Sequence, residues 1–436
     1  MQVTIFGIIW LPILGAAMFL PLRYLASLVV FSAIFQAASV LNVGTKGISP
    51  FFISQAMFSL CALVRIKVLP ARIPRWAVVL LVLIAFAILV TLLAPLLFKG
   101  TLVYVPDQGI DEAAMYGGSP LSYSAGQLAQ CVYLLVNVVT LGLFYFAGRL
   151  LDWRLLWRVF MFSLWLVVFI GLWEFSSKII GYPFPSDFFY SNPGVAQLSD
   201  QLTFGIDRLN STYTEPSNAG AVLAAFFWMT MMSSQMSYLA LILILGTLVC
   251  TVSGTGVAAL LAGMVYRVSS KYGVSILLVL ALFLFAGLIL SGYAEILLSL
   301  LSIKFESHSG VSRLTADVYA FELVPKTFGF GVGLGSNRPS GLLAYVVSNL
   351  GVIGSGLWGG FVFLFLFDAH RCKLPYKSDV ARRRSLIMYV VVILAGQAVS
   401  VPDLNLMSTW VCLFVIAAML GSNDSISRPV AQDRNV

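Results

Sequence analysis

Arg208, Glu215, His308, Arg313, Asp317 and Arg338 are charged or titratable residues in two polar stretches, each of which runs into an apolar helix. Guanidinium groups clamp phosphate oxygens through paired N–H donors. A carboxylate or imidazole within reach of a hydroxyl can take its proton. Together, residues of these types suit the binding of an anion beside groups that can take a proton.

The first stretch reads Arg208-Leu-Asn-Ser-Thr-Tyr-Thr-Glu-Pro-Ser-Asn-Ala-Gly220. Pro216 suits the first turn of a helix, whose amides and positive dipole end favour an anion. Ser217 and Asn218 are further donors, and Tyr213 joins them as a binding candidate. The plainer alternative is that Glu215 complements the helix dipole and Arg208 is a solvated loop charge. The second stretch, Ser309 to Gly354, carries Arg313, Asp317 and Lys326, then glycines at 329, 331, 333 and 335, then Asn337, Arg338 and Ser340. Glycine lets backbone approach a ligand closely, which makes Gly331 and Gly333 binding candidates; a plain glycine-rich turn is the alternative. A dinucleotide loop is not indicated, because no strand-turn-helix unit surrounds the run. Gly351, Ser355 and Gly359 recur every fourth residue and predict close helix packing.

A membrane bundle must hold these groups. The chain has 436 residues, 60% hydrophobic and 10% charged, with a mean hydropathy of +0.95, whereas soluble domains carry about a quarter charged residues. Lipid-exposed backbone must satisfy its own hydrogen bonds, so the apolar runs read as helices. The predicted fold is an all-α polytopic integral membrane protein with about 12–13 transmembrane helices of roughly 20 residues. One domain covers residues 1–421, with large external loops at 178–215 and 302–339 and a disordered cytoplasmic tail at 422–436. The net charge of +8 gathers in a few short loops, as the positive-inside rule requires, and no nucleic-acid partner is implied. Cys61, Cys131, Cys250, Cys372 and Cys412 show no metal-ligand spacing and read as packing residues.

Met1 to Leu20 lacks a basic n-region and reads as a retained helix rather than a signal peptide. Leu22 to Val43 and Ser49 to Val64 come next, and Arg65, Lys67, Arg72 and Arg75 mark the cytoplasm. Trp76 to Phe98 leads to an external segment with Asp107, Asp111 and Glu112, and Tyr123 to Gly148 returns. Later spans are Leu155 to Phe175, Pro216 to about Met232, Tyr238 to Cys250, Val257 to Tyr266 after a break at Ser253 to Gly256, Val274 to Leu300, and Gly341 to Phe367. His370 to Arg384 reads as a basic cytoplasmic loop, and Ser385 to Val401 with Leu404 to Leu420 as a hairpin turning at Pro402-Asp403. The spans hold almost no charge in their middles and show no convincing repeat, so neither an ion pathway nor a repeat-built transporter is signalled.

The order of Arg208 to Gly220, the Ser253-Gly-Thr-Gly break, Arg313, and Gly329 to Gly354 resembles the O-antigen polymerase and ligase superfamily, the Wzy/WaaL type of bacterial membrane glycosyltransferase. The resemblance runs from Arg208 to Gly354 in motifs and over the whole chain in hydropathy. It implies a GT-C-like, multi-pass enzyme of the bacterial inner membrane whose active site faces the periplasm. Such enzymes act on undecaprenyl-diphosphate-linked glycans, with arginines of two periplasmic loops handling the diphosphate or glycan; Arg208 and Arg313 match those positions by context. Ligases present a His-Asn pair where this chain has Ser340-Gly341, and the family's serine-arginine break is Ser253-Gly254 here. The sequence around Arg338 looks more like polymerases. Polymerase therefore ranks above ligase, with a transporter or flippase as the reading from another class.

The implied reaction transfers a glycan from its lipid diphosphate onto a hydroxyl of an incoming lipid-linked repeat unit, in O-antigen, capsule or exopolysaccharide synthesis. Arg208, Arg313 and Arg338 are assigned to the leaving group and Glu215 to the base, with Asp317 and His308 behind it. No cofactor or metal is implied, because the lipid diphosphate already activates the sugar. The lipid bilayer, a chain-length regulator and a flippase are the expected partners.

Overall fold

The computed structural model describes residues 1–44, 46–66, 73–104, 118–194, 202–203, 206–233, 237–273 and 308–424. Its helices in chain order are α1 (Ile5–Ala17), α2 (Leu22–Ser32), α3 (Pro50–Arg65), α4 (Arg75–Leu97), α5 (Ala125–Phe146), α6 (Trp153–Ile180), α7 (Ser186–Phe189), α8 (Pro216–Met231), α9 (Tyr238–Cys250), α10 (Gly254–Tyr272), α11 (His308–Lys326), α12 (Leu342–Arg371), α13 (Lys377–Ser400) and α14 (Met407–Asp424). Five of them, α4, α5, α6, α12 and α13, are long and apolar enough to cross a membrane; α1, α2, α3, α9 and α14 are shorter and apolar. Several helix starts arise from local chemistry: Ser124 and Gln127 form a capping box before α5, and Asp152 and Ser253 cap α6 and α10.

Among the described residues sheet is confined to short antiparallel pairings. Gln2–Val3, Leu41–Val43 and Lys46–Ile48 form one small sheet, Leu102–Val103 pairs with Ser119–Pro120, and Leu202–Thr203 pairs with Ile206–Asp207. The predicted span Val274 to Leu300, the acidic residues Asp107, Asp111 and Glu112, the basic residues Lys67 and Arg72, and the tail from 425 lie outside the described residues.

Three expectations need correction. The second apolar run does not continue as helix to Val43. After Ser32 the chain turns and bends until the strand Leu41–Val43, because Gln36 and Ser39 are buried polar groups whose neighbourhood pairs with other loops: Ala37 N–H donates to the Thr212 carbonyl, and Asn192 N–H to the Ala37 carbonyl. The 302–339 stretch is not loop throughout, since α11 occupies 308–326. The basic run 370–384 is mostly helical, with Arg371 ending α12 and Lys377 opening α13. There the buried Asp379 accepts from Arg154 at 2.6 Å and pairs with Arg382 at 2.8 Å.

The core centres on α8, which is buried on every face over its first eleven residues, 216–226. It packs against α10 and α13 through small residues. A Cβ on Gly220 would come within 2.7 Å of Ser253 Cβ, one on Gly256 within 3.2 Å of Gly220, and one on Gly396 within 2.8 Å of Ala221 Cβ. This is the close-packed small-residue crossing. Among the described residues the stripe 351/355/359 makes no such crossing: a Cβ on Gly359 would meet nothing there, and Gly351 breaks the helix.

At Gly351, helix α12 is broken, with φ +66° and ψ −167°. The glycine run docks into the break as an extended strip. Val332 N–H donates to Ser348 C=O at 2.9 Å, Gly333 N–H to Asn349 C=O at 2.8 Å, and Val352 N–H to Gly329 C=O at 2.9 Å. Gly331, at φ +88°, lies so close that a Cβ there would meet the Asn349 carbonyl oxygen at 2.5 Å.

Gly351→Ala therefore meets both a backbone region that disfavours side chains and the Gly329 carbonyl. It is expected to destabilise the purified protein by ~1–3 kcal/mol or more, whereas Gly359→Ala is neutral or stabilising by up to ~1 kcal/mol. Thermal unfolding of the two variants in detergent checks this.

Candidate functional site

The arginine loop that precedes α8 is held from several sides. Leu209 through Thr214 are all buried. Leu209 N–H donates to Cys250 C=O at 3.2 Å, and Tyr213 N–H to Asn210 C=O at 3.1 Å. The half-buried Arg208 donates from Nε to Thr251 C=O at 3.1 Å, at the turn between α9 and α10. Burial and then the nearby Arg313 guanidinium hold Arg208 below the usual guanidinium range, with Glu215 pulling the other way. Arg208 and Arg313 thus stand close enough to repel, although 105 positions separate them in the chain.

Glu215 ends this loop and accepts the Ser217 hydroxyl at 2.9 Å. Its carbonyl takes the amides of Asn218 and Ala219, at 3.1 and 3.2 Å, as the first intrahelical bonds of α8. Asn218 Nδ2 donates to Gln36 Oε1 at 3.2 Å and to Thr214 Oγ1 at 3.3 Å. Tyr213, Ser217 and Asn218 are buried, and they line the inside of the loop.

Arg313 lies on α11, and its Nη1 donates to Ser400 Oγ at 2.9 Å, at the last residue of α13. Asp317, one turn on, accepts the backbone N–H groups of Ser340 and Gly341 at 2.7 and 3.2 Å. A carboxylate of α11 thereby caps α12. Burial raises the Asp317 carboxyl, opposed by the two amides and by Arg313. His308 opens α11, and its side chain lies outside the described residues.

Arg338 is exposed, while its backbone N–H donates to Tyr104 C=O at 2.8 Å. Asn337 uses its polar groups within the chain: Oδ1 accepts Tyr104 N–H at 3.0 Å, Nδ2 donates to Ser348 Oγ at 3.1 Å, and its own N–H and C=O bond to the Asn349 amide. Gly331 and Gly333 are buried against α12 and α4. These three residues build the support for Arg338 and Ser340.

Asp403, which reads as a turn residue in the sequence, belongs to the same region. It lies between α13 and α14, and the field of Arg338 reaches its carboxylate. Burial pushes the carboxyl up, outweighing both Arg338 and the Asn405 N–H that donates to Oδ1 at 2.8 Å. From Asn405 a polar ladder runs into the bundle, with Nδ2 to Gln130 Oε1 at 2.8 Å, then Asn137 to Asn405 at 3.2 Å and Gln55 to Asn137 at 3.1 Å.

Arg313 is bonded to Ser400 at the end of α13 and Asp317 to Ser340 and Gly341, while Arg208 lies within the field of Arg313 and Asp403 within that of Arg338. The arrangement can hold a polyanion on guanidinium groups and offers carboxylates for a proton. Because burial raises the native Asp403 carboxyl above its unfolded value, its contribution to stability is intact at acid pH and is lost as pH rises through the native pKa. Asp403→Asn keeps an acceptor for Asn405 N–H and removes the charge. Its melting temperature is expected to equal or exceed that of the unmodified protein at about pH 8, with the difference closing toward about pH 4.

No protein-family model matches this sequence, and no curated protein matches it.

Proposed function

We propose that this chain is a bacterial polysaccharide polymerase, a multi-pass, GT-C-like glycosyltransferase of the inner membrane. It moves a glycan from undecaprenyl diphosphate onto a lipid-linked repeat unit at the periplasmic face. The observation that carries the reading is the half-buried Arg208, bonded to the Thr251 carbonyl and within the field of Arg313 on α11, two cations far apart in the chain whose repulsion a bound diphosphate would relieve. The same chain supplies apolar helices long enough to cross a membrane, the setting in which a lipid-linked donor is presented.

In this reaction the acceptor hydroxyl oxygen bonds to the anomeric carbon as the bond from that carbon to the diphosphate oxygen breaks. The electron pair leaves with the lipid diphosphate. Arg208 and Arg313, with Arg338 beside them, stabilise the charge that grows there, in a fixed geometry that needs no reorganisation. The hydroxyl proton passes to a carboxylate. Glu215 has the right chemistry, yet it accepts the Ser217 hydroxyl and serves Arg208 as counter-charge. Asp317 is committed to capping α12. Asp403 follows the end of α13, where Ser400 holds Arg313, and burial raises its carboxyl, so we assign it the base role in place of Glu215, the His308 side chain lying outside the described residues.

The length distribution of lipid-linked and surface glycan in a deletion strain tests this. Unmodified protein should restore a ladder, while Arg313→Ala leaves single repeats, with chain extension down by about 100-fold or more. Asp403→Asn should lower extension by ~100- to 10,000-fold, and in unmodified protein activity should fall as pH drops through the raised carboxyl pKa. Full-length polymer stranded on carrier lipid would identify a ligase instead. Repeat units that fail to cross the membrane would identify a flippase, and unchanged glycan length removes the proposal.

A further inference from the structure

The arginine loop owes its shape to a buried carboxylate that none of the assigned roles uses. Glu174, on the last turns of α6, is 1% exposed. Its Oε2 accepts the backbone N–H of Asn210 at 3.0 Å and of Ser211 at 2.6 Å. Its Oε1 lies 2.9 Å from Lys178 Nζ one turn on. That same ammonium donates to the Arg208 carbonyl at 2.7 Å. One ion pair therefore grips the backbone on both sides of Leu209, immediately next to the Arg208 side chain.

Ser211 completes the grip. It adopts a left-handed backbone, φ +58°, which a side chain other than glycine takes only at a cost. Its carbonyl accepts the Tyr190 hydroxyl at 2.9 Å, and its own hydroxyl donates to Val167 C=O at 2.7 Å. A buried ion pair is a poor device for stability alone, since desolvation offsets most of its attraction and apolar packing does as well. A carboxylate offers something apolar side chains cannot: two N–H groups of consecutive residues fixed by one group.

We propose that Glu174 and Lys178 are positioning residues for the reaction, acting through the main chain of 208–211 to hold the Arg208 guanidinium at the Thr251 carbonyl. The inference rests on the polymerase reading above and deepens it: the pair sets where the lipid diphosphate is gripped. Neither residue touches substrate. A displacement of about 1 Å at a charge-stabilising group can cost about 100-fold in rate, so their influence on turnover is large relative to their influence on the fold.

The test uses the full-length protein in detergent or nanodiscs, with Glu174→Gln, and Lys178→Met should the first variant not fold. Each is made in the unmodified and in the Arg208→Lys background. Amide hydrogen exchange at residues 208–215 is read first. Exchange at Asn210 and Ser211 is expected to quicken by about tenfold or more while α8, α10 and α13 stay protected. For polymerisation, kcat is expected to fall about 10- to 100-fold with KM within about threefold. In the Arg208→Lys background the further loss should be under about twofold, because the two changes act on one interaction. Equal losses in both backgrounds, or unchanged exchange at Asn210 and Ser211, overturn the proposal. If Arg208→Lys matches the unmodified protein in activity, the assignment of Arg208 to the diphosphate fails, while the exchange data still decide whether the ion pair positions the loop.

Discussion

Main-chain polar groups that leave helical geometry inside an apolar bundle must find partners within the protein, and this requirement organises the molecule. An unpaired amide there costs several kcal/mol by order of magnitude. Three non-helical stretches meet it by bonding to one another and to a few side chains. The stretch after α2 takes its partner at Thr212, the arginine loop closes onto the α9–α10 turn and onto Glu174, and the glycine strip closes onto the broken helix α12. Asp317 and Asn349 then fix the residues that join the glycine strip to the start of α12. Rigid loops at one end of the bundle are the result, and rigid loops are what a charged site needs.

That rigidity has an electrostatic consequence. Two guanidinium groups left free would swing apart into solvent. Here the Arg208 backbone is clamped and its Nε is bonded to Thr251 C=O, while Arg313 is held at Ser400. The scaffold therefore keeps Arg208 within the field of Arg313. Stored repulsion of this kind becomes binding free energy for an anion that spans both cations, without side chains having to be collected at the moment of reaction.

Much of this is legible in the chain, for identifiable reasons. Polar turns flank the continuous apolar run Tyr238 to Cys250 and so mark both ends of its helix, and Pro216 opens its helix as a proline at the first turn should. The loops are legible only in part. Gln36 and Ser39 end the second apolar run through partners roughly 150 to 180 residues away, which no local pattern encodes. The glycine spacing is visible, but its purpose depends on the break at Gly351. Helix packing through Gly220, Gly256 and Gly396 draws one glycine from each of three helices, so no single-helix motif announces it. Asp403 and Glu174 stand out only once Arg338 and the 208–211 backbone lie beside them.

The strip from Gly329 to Gly335 bonds to α12 through backbone at both ends, while the Phe328 side chain beside it is 83% exposed. Side-chain identity at such a position is free to drift, but loop length is not. Adding or deleting one residue between Gly329 and Gly333 would shift every rung against Ser348, Asn349 and Val352, and would carry Arg338 with it. Descendants of this sequence should therefore keep the count of residues here together with its glycines, while the residue at 328 changes.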